Sequence, residues 1–246
     1  MTGGGAIPLR PRSAIEIIDA AVDVVRRHFL ALFTLAAAMS LPAVALELLA
    51  VENPGADAFD FLHTLVSALL DTIASGAIIA YVGTRVSGTP LSTADALRAA
   101  LRNFGRLFVG SIAYGLLVIL GLLLFIVPGI LFAARFFATP AVIMMENAEV
   151  GRALTRSNTL TTGATGRVVG IFGTAWVVYL LTLFGVALLS QGLFRTALFS
   201  PQLEVLFTGV AQAALQPFLA TLTTLLYFDL RVRGEGFDVA AMRANG

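Results

Sequence analysis

Residues 107 to 127, LFVGSIAYGLLVILGLLLFIV, form a run of 21 residues without a charged side chain. A hydrocarbon core about 30 Å thick is crossed by about 20 helical residues, so this run predicts a transmembrane helix. Arg98, Arg102 and Arg106 precede the run. Arginine accumulates on the cytoplasmic side of membranes, so these residues indicate its cytoplasmic end. Pro128-Gly129 predicts a tight external turn after it.

The chain contains five more apolar runs, and each predicts a further transmembrane helix. The hydrophobic fraction is 58% and charged residues are 13%, whereas soluble domains carry about a quarter charged residues. The fold predicted is therefore an all-α integral membrane protein with six transmembrane helices. The predicted spans are Phe29–Ala50, Phe61–Val82, Leu107–Val127, Ile130–Met145, Val168–Leu189 and Val205–Phe228. Pro42, Pro140 and Pro217 are expected to kink or break their helices.

The arginines are distributed unequally between the two sides of these spans. All 16 cationic side chains are arginine, and the six spans place fourteen on one side, Arg195 on the other and Arg135 within the fourth span. The positive-inside rule then predicts that both termini are cytoplasmic. Because 28 mostly polar residues precede the first span, we expect an uncleaved anchor rather than a signal peptide.

A repeat links the segments on the arginine-rich side. Ser13–Phe29 aligns with Ser92–Phe108 without a gap, and each copy opens with a capping box. A weaker third copy begins near Glu149, so two to three interfacial amphipathic cytoplasmic helices are predicted. In the first helix, Ile15, Ile18, Val22 and Val25 predict the apolar face of a helix lying flat on the interface. In the second helix, the apolar side chains are Leu97, Leu101 and Phe104.

Several motifs resemble one bacterial family of membrane domains. They include Glu16-Ile17-Ile18-Asp19, Val127-Pro128-Gly129-Ile130 and the tail Tyr227–Asp238. Together they resemble the membrane domain attached to some glycerophosphoryl diester phosphodiesterases, and related stand-alone proteins of unassigned function. The resemblance implies a bacterial cytoplasmic (inner) membrane protein, and it supplies no catalytic residues because the phosphodiesterase domain is absent. The domain limits predicted are a disordered segment 1–11, a six-span domain 12–238 and a tail 239–246.

The second span carries a polar stripe. His63, Ser67, Asp71 and Ser75 recur every four residues and so share one helical face. An ionised side chain inside a membrane is costly and faces the bundle interior, where it is paired or hydrated. Two interpretations stay open: a proton, ion or substrate path, and a structural stripe in which Asp71 pairs with Arg135. The residue types of a serine triad are present, but residues stacked along one helix do not converge as a triad requires.

Arginines outside the spans are candidates for contact with anionic lipid headgroups or with a partner protein in the membrane. In the tail, Asp229, Arg231, Arg233 and Glu235 could instead form an internal ion-pair cluster that locks the C-terminus to the cytoplasmic helices. The candidate contact residues are Arg98, Arg102, Arg106, Arg152, Arg156, Arg231 and Arg233.

Several chemistries lack their signatures. The chain has no cysteine and two histidines, so neither a metal site nor a catalytic residue is predicted, and no cofactor is expected. A net charge of +1 gives no basic surface for nucleic acid. The function predicted is non-enzymatic: a scaffold, an accessory subunit or an organiser of anionic lipid. The alternatives are a small transporter or channel that uses the polar stripe and, third, an intramembrane hydrolase.

Overall fold

Helices are the only regular structure in residues 13–53, 57–194 and 200–235, which are the residues that this computed structural model describes. The segments predicted for 1–11 and 239–246, and Arg195, lie outside the described residues. The helices are α1 (Ala14–Arg27), α2 (Phe29–Glu52), α3 (Asp57–Val86), α4 (Thr93–Arg102), α5 (Phe104–Leu124), α6 (Ile126–Phe136), α7 (Thr139–Glu146), α8 (Val150–Thr161), α9 (Thr165–Phe194) and α10 (Pro201–Glu235).

The six-span prediction is confirmed. Helices α2, α3, α5, α9 and α10 are each long and apolar enough to cross a membrane, and α6 with α7 forms the remaining span. The spans differ in burial: half of the most apolar window of α3 is buried, against 11% for α9. The core therefore surrounds α3, which contacts α2, α4, α5, α7 and α10.

Each of the short helices α1, α4 and α8 precedes a pair of spans, as the repeat predicts. Ser13 and Glu16 form the complete capping box of α1, and the Ser92 hydroxyl accepts from the backbone of Asp95 at the start of α4. The second copy departs from the first at its end. Helix α4 stops at Arg102, four residues before the alignment with α1 predicts, because the Asn103 side chain donates to the carbonyl of Ala99.

The external turn between the third and fourth spans lies earlier than Pro128-Gly129, and that prediction was wrong. The helix breaks at the extended residue Phe125, and α6 already includes Pro128 and Gly129. A proline fits there because the first turn of a helix needs no N–H donor. The glycine serves close packing instead. A Cβ on Gly121 of α5 would lie 2.8 Å from the Cα of Gly129, so the two helices touch through their backbones.

The predicted break at Pro140 occurs between α6 and α7, and hydroxyl groups satisfy the backbone there. Thr139 donates to the carbonyl of Phe136, which Pro140 cannot reach because it lacks an N–H. Ser157 of α8 accepts from the backbone of Ala138 and donates to the carbonyl of Arg135. Helix α8 is thereby anchored to the broken span. Helices α2 and α10 continue through their internal prolines.

The predicted apolar face of α1 is rotated from the face that the bundle buries. Ile17, Ala21 and Val24 lie in the core, where α1 contacts α9 and α10, while Ile15 is 72% exposed. The prediction that Ile15, Ile18, Val22 and Val25 rest on the interface missed this packing, because small Ala21 gave little apolar signal. Helix α1 therefore packs into the bundle along one edge and leaves a second apolar edge outside it.

Candidate functional site

Asp71 lies near the middle of α3, 14 residues after Asp57 and 15 before Val86. The carboxylate oxygen Oδ1 accepts a hydrogen bond from the Gln216 amide of α10 at 2.9 Å. Within the described part of the chain, no ion pair involves this carboxylate. A mid-membrane acid thus has a neutral hydrogen-bond donor and no ion pair among the described residues.

The predicted pair between Asp71 and Arg135 was wrong. Arg135 is exposed on the outside of α6, and its carbonyl accepts from Ser157 and Thr161 of α8. Its side chain forms no ion pair within residues 13–53, 57–194 and 200–235. Arg135 is thus exposed rather than paired, and in the described part of the chain α6 is not among the helices that pack closely against α3.

A cavity of about 290 Å³ lies next to Asp71, in the half of the bundle nearer the arginine-rich side. Its wall is mostly apolar, with a few hydroxyl groups from α3, α5 and α10 near the carboxylate. The side chains that line it are Asp71, Thr72, Ser75, Ile79, Leu107, Ser111, Tyr114, Phe137, Pro140, Ile143, Phe172, Trp176, Leu219, Ala220 and Thr223, together with Gly110. Such a cavity suits a small apolar body that carries one charged group.

A second cavity, of about 40 Å³, adjoins Asp71 on the side away from the arginine-rich end of the bundle. His63, Ser67, Glu47 and Gln212 line it together with Asp71. The His63 ring nitrogen Nε2 lies 3.3 Å from the Ser67 hydroxyl and 3.8 Å from a carboxylate oxygen of Glu47. A polar cavity of this size can hold water. Asp71 therefore stands between two cavities that open toward opposite halves of the bundle.

The structure brings all four residues of the predicted stripe to these cavities. His63 and Ser67 line the smaller one, Ser75 lines the larger one, and Asp71 lines both. Sequence reasoning missed Glu47, Gln212 and Gln216. The two glutamines stand four residues apart on α10, which is a signal that could have indicated a second polar face. The described hydrogen bond of Asp71 goes to Gln216 rather than His63, so these groups do not form a linked triad.

Five side chains form a closed network on the arginine-rich side, which we call the tail cluster. Glu146 accepts from Arg156 at 3.2 Å and from the Tyr227 hydroxyl at 2.8 Å. Arg231 donates to Tyr227 at 3.1 Å and to Glu235 at 3.1 Å, and Glu235 also pairs with Arg156. Burial lowers the pKa of Arg156, but the hydrogen bonds that Arg156 donates to Glu235 and Glu146 outweigh this effect and raise that pKa above its ordinary value.

A second group of ion pairs surrounds Asp229, which lies between Tyr227 and Arg231 on α10. Its carboxylate is 3% exposed and pairs with Arg167 at 3.2 Å and Arg233 at 2.9 Å. The C-terminal part of α10 is thus held to α7, α8 and α9 by charge. The predicted internal ion-pair cluster of the tail is confirmed.

The arginines predicted to contact lipid or a partner fall into two groups. Arg156, Arg231 and Arg233 belong to the two ion-pair groups, Arg98 pairs with Asp95 at 2.8 Å, and Arg106 contacts Asn147 and Glu149. The exposed Arg102 and Arg152 form no ion pair among the described residues. The other arginines of this set have acidic partners, on their own helix or on a neighbouring one, so the lipid prediction is kept for Arg102 and Arg152.

Comparison with family models, with curated proteins and with solved structures finds no match for this chain. The resemblance to the membrane domain of glycerophosphoryl diester phosphodiesterases stays a prediction. In the part of the chain that the structure describes, no group of three or more His, Asp or Glu side chains could hold a metal ion. The geometry around Asp71 therefore carries the functional argument.

Proposed function

We propose that this protein is a small membrane transporter, which binds a small solute with an apolar body and one cationic group beside Asp71. The observation that carries the proposal is a mid-span carboxylate that lines two cavities and has an amide donor but no cationic partner in the described structure. Intramembrane acids that lack an ion-pair partner mark substrate and ion paths.

The energetics favour a cation as the missing partner. Asp71 is exposed in the middle of a spanning helix, where an ionised carboxylate is costly, and the single hydrogen bond from Gln216 offsets only part of that cost. A bound ammonium group would neutralise the charge. The cavity of about 290 Å³ stands at the lower end of the roughly 300–1,000 Å³ typical of ligand sites, which favours a small solute.

The position of Asp71 between the two cavities supports transport over simple binding. The smaller cavity leads toward Glu47 and His63, and the larger one leads toward Ser111 and Tyr114. A central site reached in turn from each side is the arrangement that alternating access needs. Uptake of the solute into reconstituted vesicles measures transport separately from binding.

Binding of benzyltrimethylammonium to the purified protein tests the proposal. We expect Asp71→Asn to weaken this binding at least tenfold, while Glu204→Gln leaves it unchanged because Glu204 contacts Ser190 outside both cavities. Neopentylbenzene, a neutral compound of similar shape, should bind wild type and Asp71→Asn alike. Equal binding of the cation to both proteins would contradict the proposal, and binding without uptake into proteoliposomes would reduce it to a binding protein.

Arg102 and Arg152 favour a second function, the organisation of anionic lipid. Both are exposed and neither forms an ion pair in the described residues. Each such arginine contributes about 1 kcal/mol of attraction to an anionic surface. Replacing both by Gln should lower the anionic lipid that co-purifies, whereas Arg98→Gln should not, because Arg98 is paired with Asp95. Unchanged lipid in the double variant would exclude this function.

We further propose that the chain lies in a bacterial cytoplasmic membrane with its termini in the cytoplasm. The arginine partition supports this orientation. Reporter fusions at Gly55 and Gln202 should give external signals, and fusions at the turn residues Gly88 and Gly163 internal ones. An external signal at Gly88 would overturn the orientation.

A further inference from the structure

An apolar groove separates the outer edge of α1 from the spans α9 and α10. Its volume is about 260 Å³, and it shares no lining residue with the cavities around Asp71. Ile18, Val22 and Val25 form one wall, Val178 and Phe218 stand opposite, and Arg26 lines the groove as its charged member. Of these α1 residues, Ile18 and Val25 are half-buried against the edge of the core and Val22 is exposed.

The occupant of this groove is expected to be hydrocarbon. The face of α9 that carries the groove is an outer surface of the bundle, where Val177, Val178 and Leu181 are 56%, 53% and 64% exposed. Exposed apolar side chains in the middle of a spanning helix meet lipid tails. A groove continuous with that surface and lined by aliphatic side chains therefore admits an acyl chain.

The charge in the groove selects the headgroup. Arg26 and Arg27 are adjacent and both exposed, but Arg27 pairs with Asp23 at 2.8 Å. Arg26 forms no ion pair in the described part of the chain. An arginine at the end of an amphipathic helix presents donors that match phosphate geometry. The apolar groove matches an acyl chain, and the guanidinium of Arg26 matches a phosphate group. An anionic phospholipid carries both.

We propose that one anionic phospholipid binds under α1, with an acyl chain in the groove and its phosphate on Arg26. Helix α1 packs on α9 and α10 through Ile17, Ala21 and Val24. The lipid fills the space between the neighbouring face of α1 and these two spans. The groove and the cavities around Asp71 have no lining residue in common, so Arg26 and Asp71 can be tested separately. The site differs from the surface attraction at Arg102 and Arg152 because a chain-shaped groove accompanies the charge.

Native mass spectrometry with added dioleoylphosphatidylglycerol tests the site. Arg26→Gln and Arg27→Gln remove the same charge at neighbouring positions, so they form a matched pair. We expect Arg26→Gln to lower retention of the lipid at least fivefold and Arg27→Gln to leave it unchanged. Dioleoylphosphatidylethanolamine should bind more weakly to wild type. Equal losses in the two variants would overturn the proposal, because the number of positive charges, and not their position, would then explain the binding.

A second pair of variants tests the groove itself while keeping Arg26. Val178→Trp fills the groove and should displace the lipid, whereas Val177→Trp adds the same bulk at a neighbouring exposed position outside the lining and should not. An unchanged melting temperature shows that both variants fold. Glycerol 3-phosphate should show no binding. Lipid retention in Val178→Trp, or binding of glycerol phosphate as tight as that of the lipid, refutes the acyl-chain site.

Discussion

The arginine-rich half of the bundle and the opposite half hold their helices together by different interactions. On the arginine-rich side, Asp229 and the tail cluster join α7, α8, α9 and α10 through ion pairs, and α10 is buried continuously from Ala220 to Leu230. On the opposite side, α5 and α6 meet through Gly121 and Gly129. Lipid tails are as apolar as leucine, so helices in a membrane associate through polar contacts or close backbone packing. The two ion-pair groups lie in the arginine-rich half, whereas the opposite half contains the backbone contact of α5 with α6 together with the polar contacts between Glu47 and His63 and between Ser190 and Glu204.

Two aspartates, Asp229 in the arginine-rich half and Asp71 in the middle of α3, have opposite environments. Asp229 has two arginine partners and is nearly inaccessible, whereas Asp71 has one amide donor and lines two cavities. The difference separates a carboxylate that stabilises the fold from one that is available to a ligand. Identical substitutions at the two positions therefore test this comparison directly.

Asp229→Asn is expected to have the largest effect on stability. The substitution leaves Arg167 and Arg233 near each other without the carboxylate between them. Loss of one partner from a buried ion pair costs about 3–5 kcal/mol, and because these arginines are partly exposed we expect about 3 kcal/mol. The measurement is the free energy of unfolding by SDS titration from mild-detergent micelles.

Asp95→Asn supplies the control for this variant. Asp95 also pairs with an arginine, Arg98, but the pair lies at the surface within one turn of α4. Fully exposed ion pairs contribute little to stability, so this variant should unfold almost like wild type. Similar losses for the two variants would show that burial of the ion pair at Asp229 does not matter.

Gly121→Val is expected to have the next largest effect, and it tests the opposite half. A Cβ at this position would lie 2.8–2.9 Å from backbone atoms of Gly129 and Pro128, which cannot move aside as a side chain can. Overpacking of this kind costs about 1–3 kcal/mol. Gly115→Val, on the same helix with no heavy atom within 4 Å of its added Cβ, is the matched control. Equal stability of the two variants would contradict close packing of α5 on α6.

The spans and the tail cluster were predictable because their signals are local. An apolar run of sufficient length has few other uses, so the six spans followed from the sequence. Asp229 and Arg233, and likewise Arg231 and Glu235, are four residues apart and face each other on any helix. Glu146, Arg156 and Arg167, which complete the two ion-pair groups, come from distant segments and had no such signal.

The surroundings of Asp71 were not predictable in the same way. Its hydrogen-bond partner Gln216 is 145 residues away in the sequence. Glutamine is uncharged, so a search for opposite charges does not find it. Arg135 attracted attention because it is charged, but it is exposed on α6 and forms no ion pair in the described part of the chain. The balance of formal charges therefore predicted the wrong partner, Arg135, for Asp71. Helix rotation, which also displaced the predicted face of α1, depends on neighbours that a sequence pattern does not specify.

Asp71→Asn is expected to change stability by less than about 1 kcal/mol, or to raise it. An asparagine keeps the oxygen that accepts from Gln216 and removes a charge that lacks a cationic partner. The same substitution at Asp229 costs about 3 kcal/mol by the argument above. SDS titration of both variants side by side gives the comparison. A loss at Asp71 as large as that at Asp229 would mean that Asp71 stabilises the fold, and the proposed binding site would lose its main support.

The smallest expected effect concerns His28, at the junction of α1 and α2. Its ring packs edge-on against Tyr81 at 5.8 Å. Burial, and then the charges of Arg85 and Arg27, lower the pKa of His28 from its ordinary value of 6.5. The unfolded chain therefore takes up a proton at this position at a higher pH than the folded chain does. The free energy of unfolding should fall as the pH drops below 6.5, until the folded imidazole is also protonated.

His28→Gln should reduce this pH dependence, because glutamine takes up no proton in either state. Melting temperatures of wild type and the variant between pH 8 and about pH 5 measure it, and the difference between the two curves removes the contribution of the carboxylates they share. His63→Gln is the control, since His63 lies inside a span and the pH response attributed to His28 should persist in that variant. If the His28→Gln curve runs parallel to that of wild type, the neutral imidazole does not contribute to the packing of α1 on the arginine-rich half.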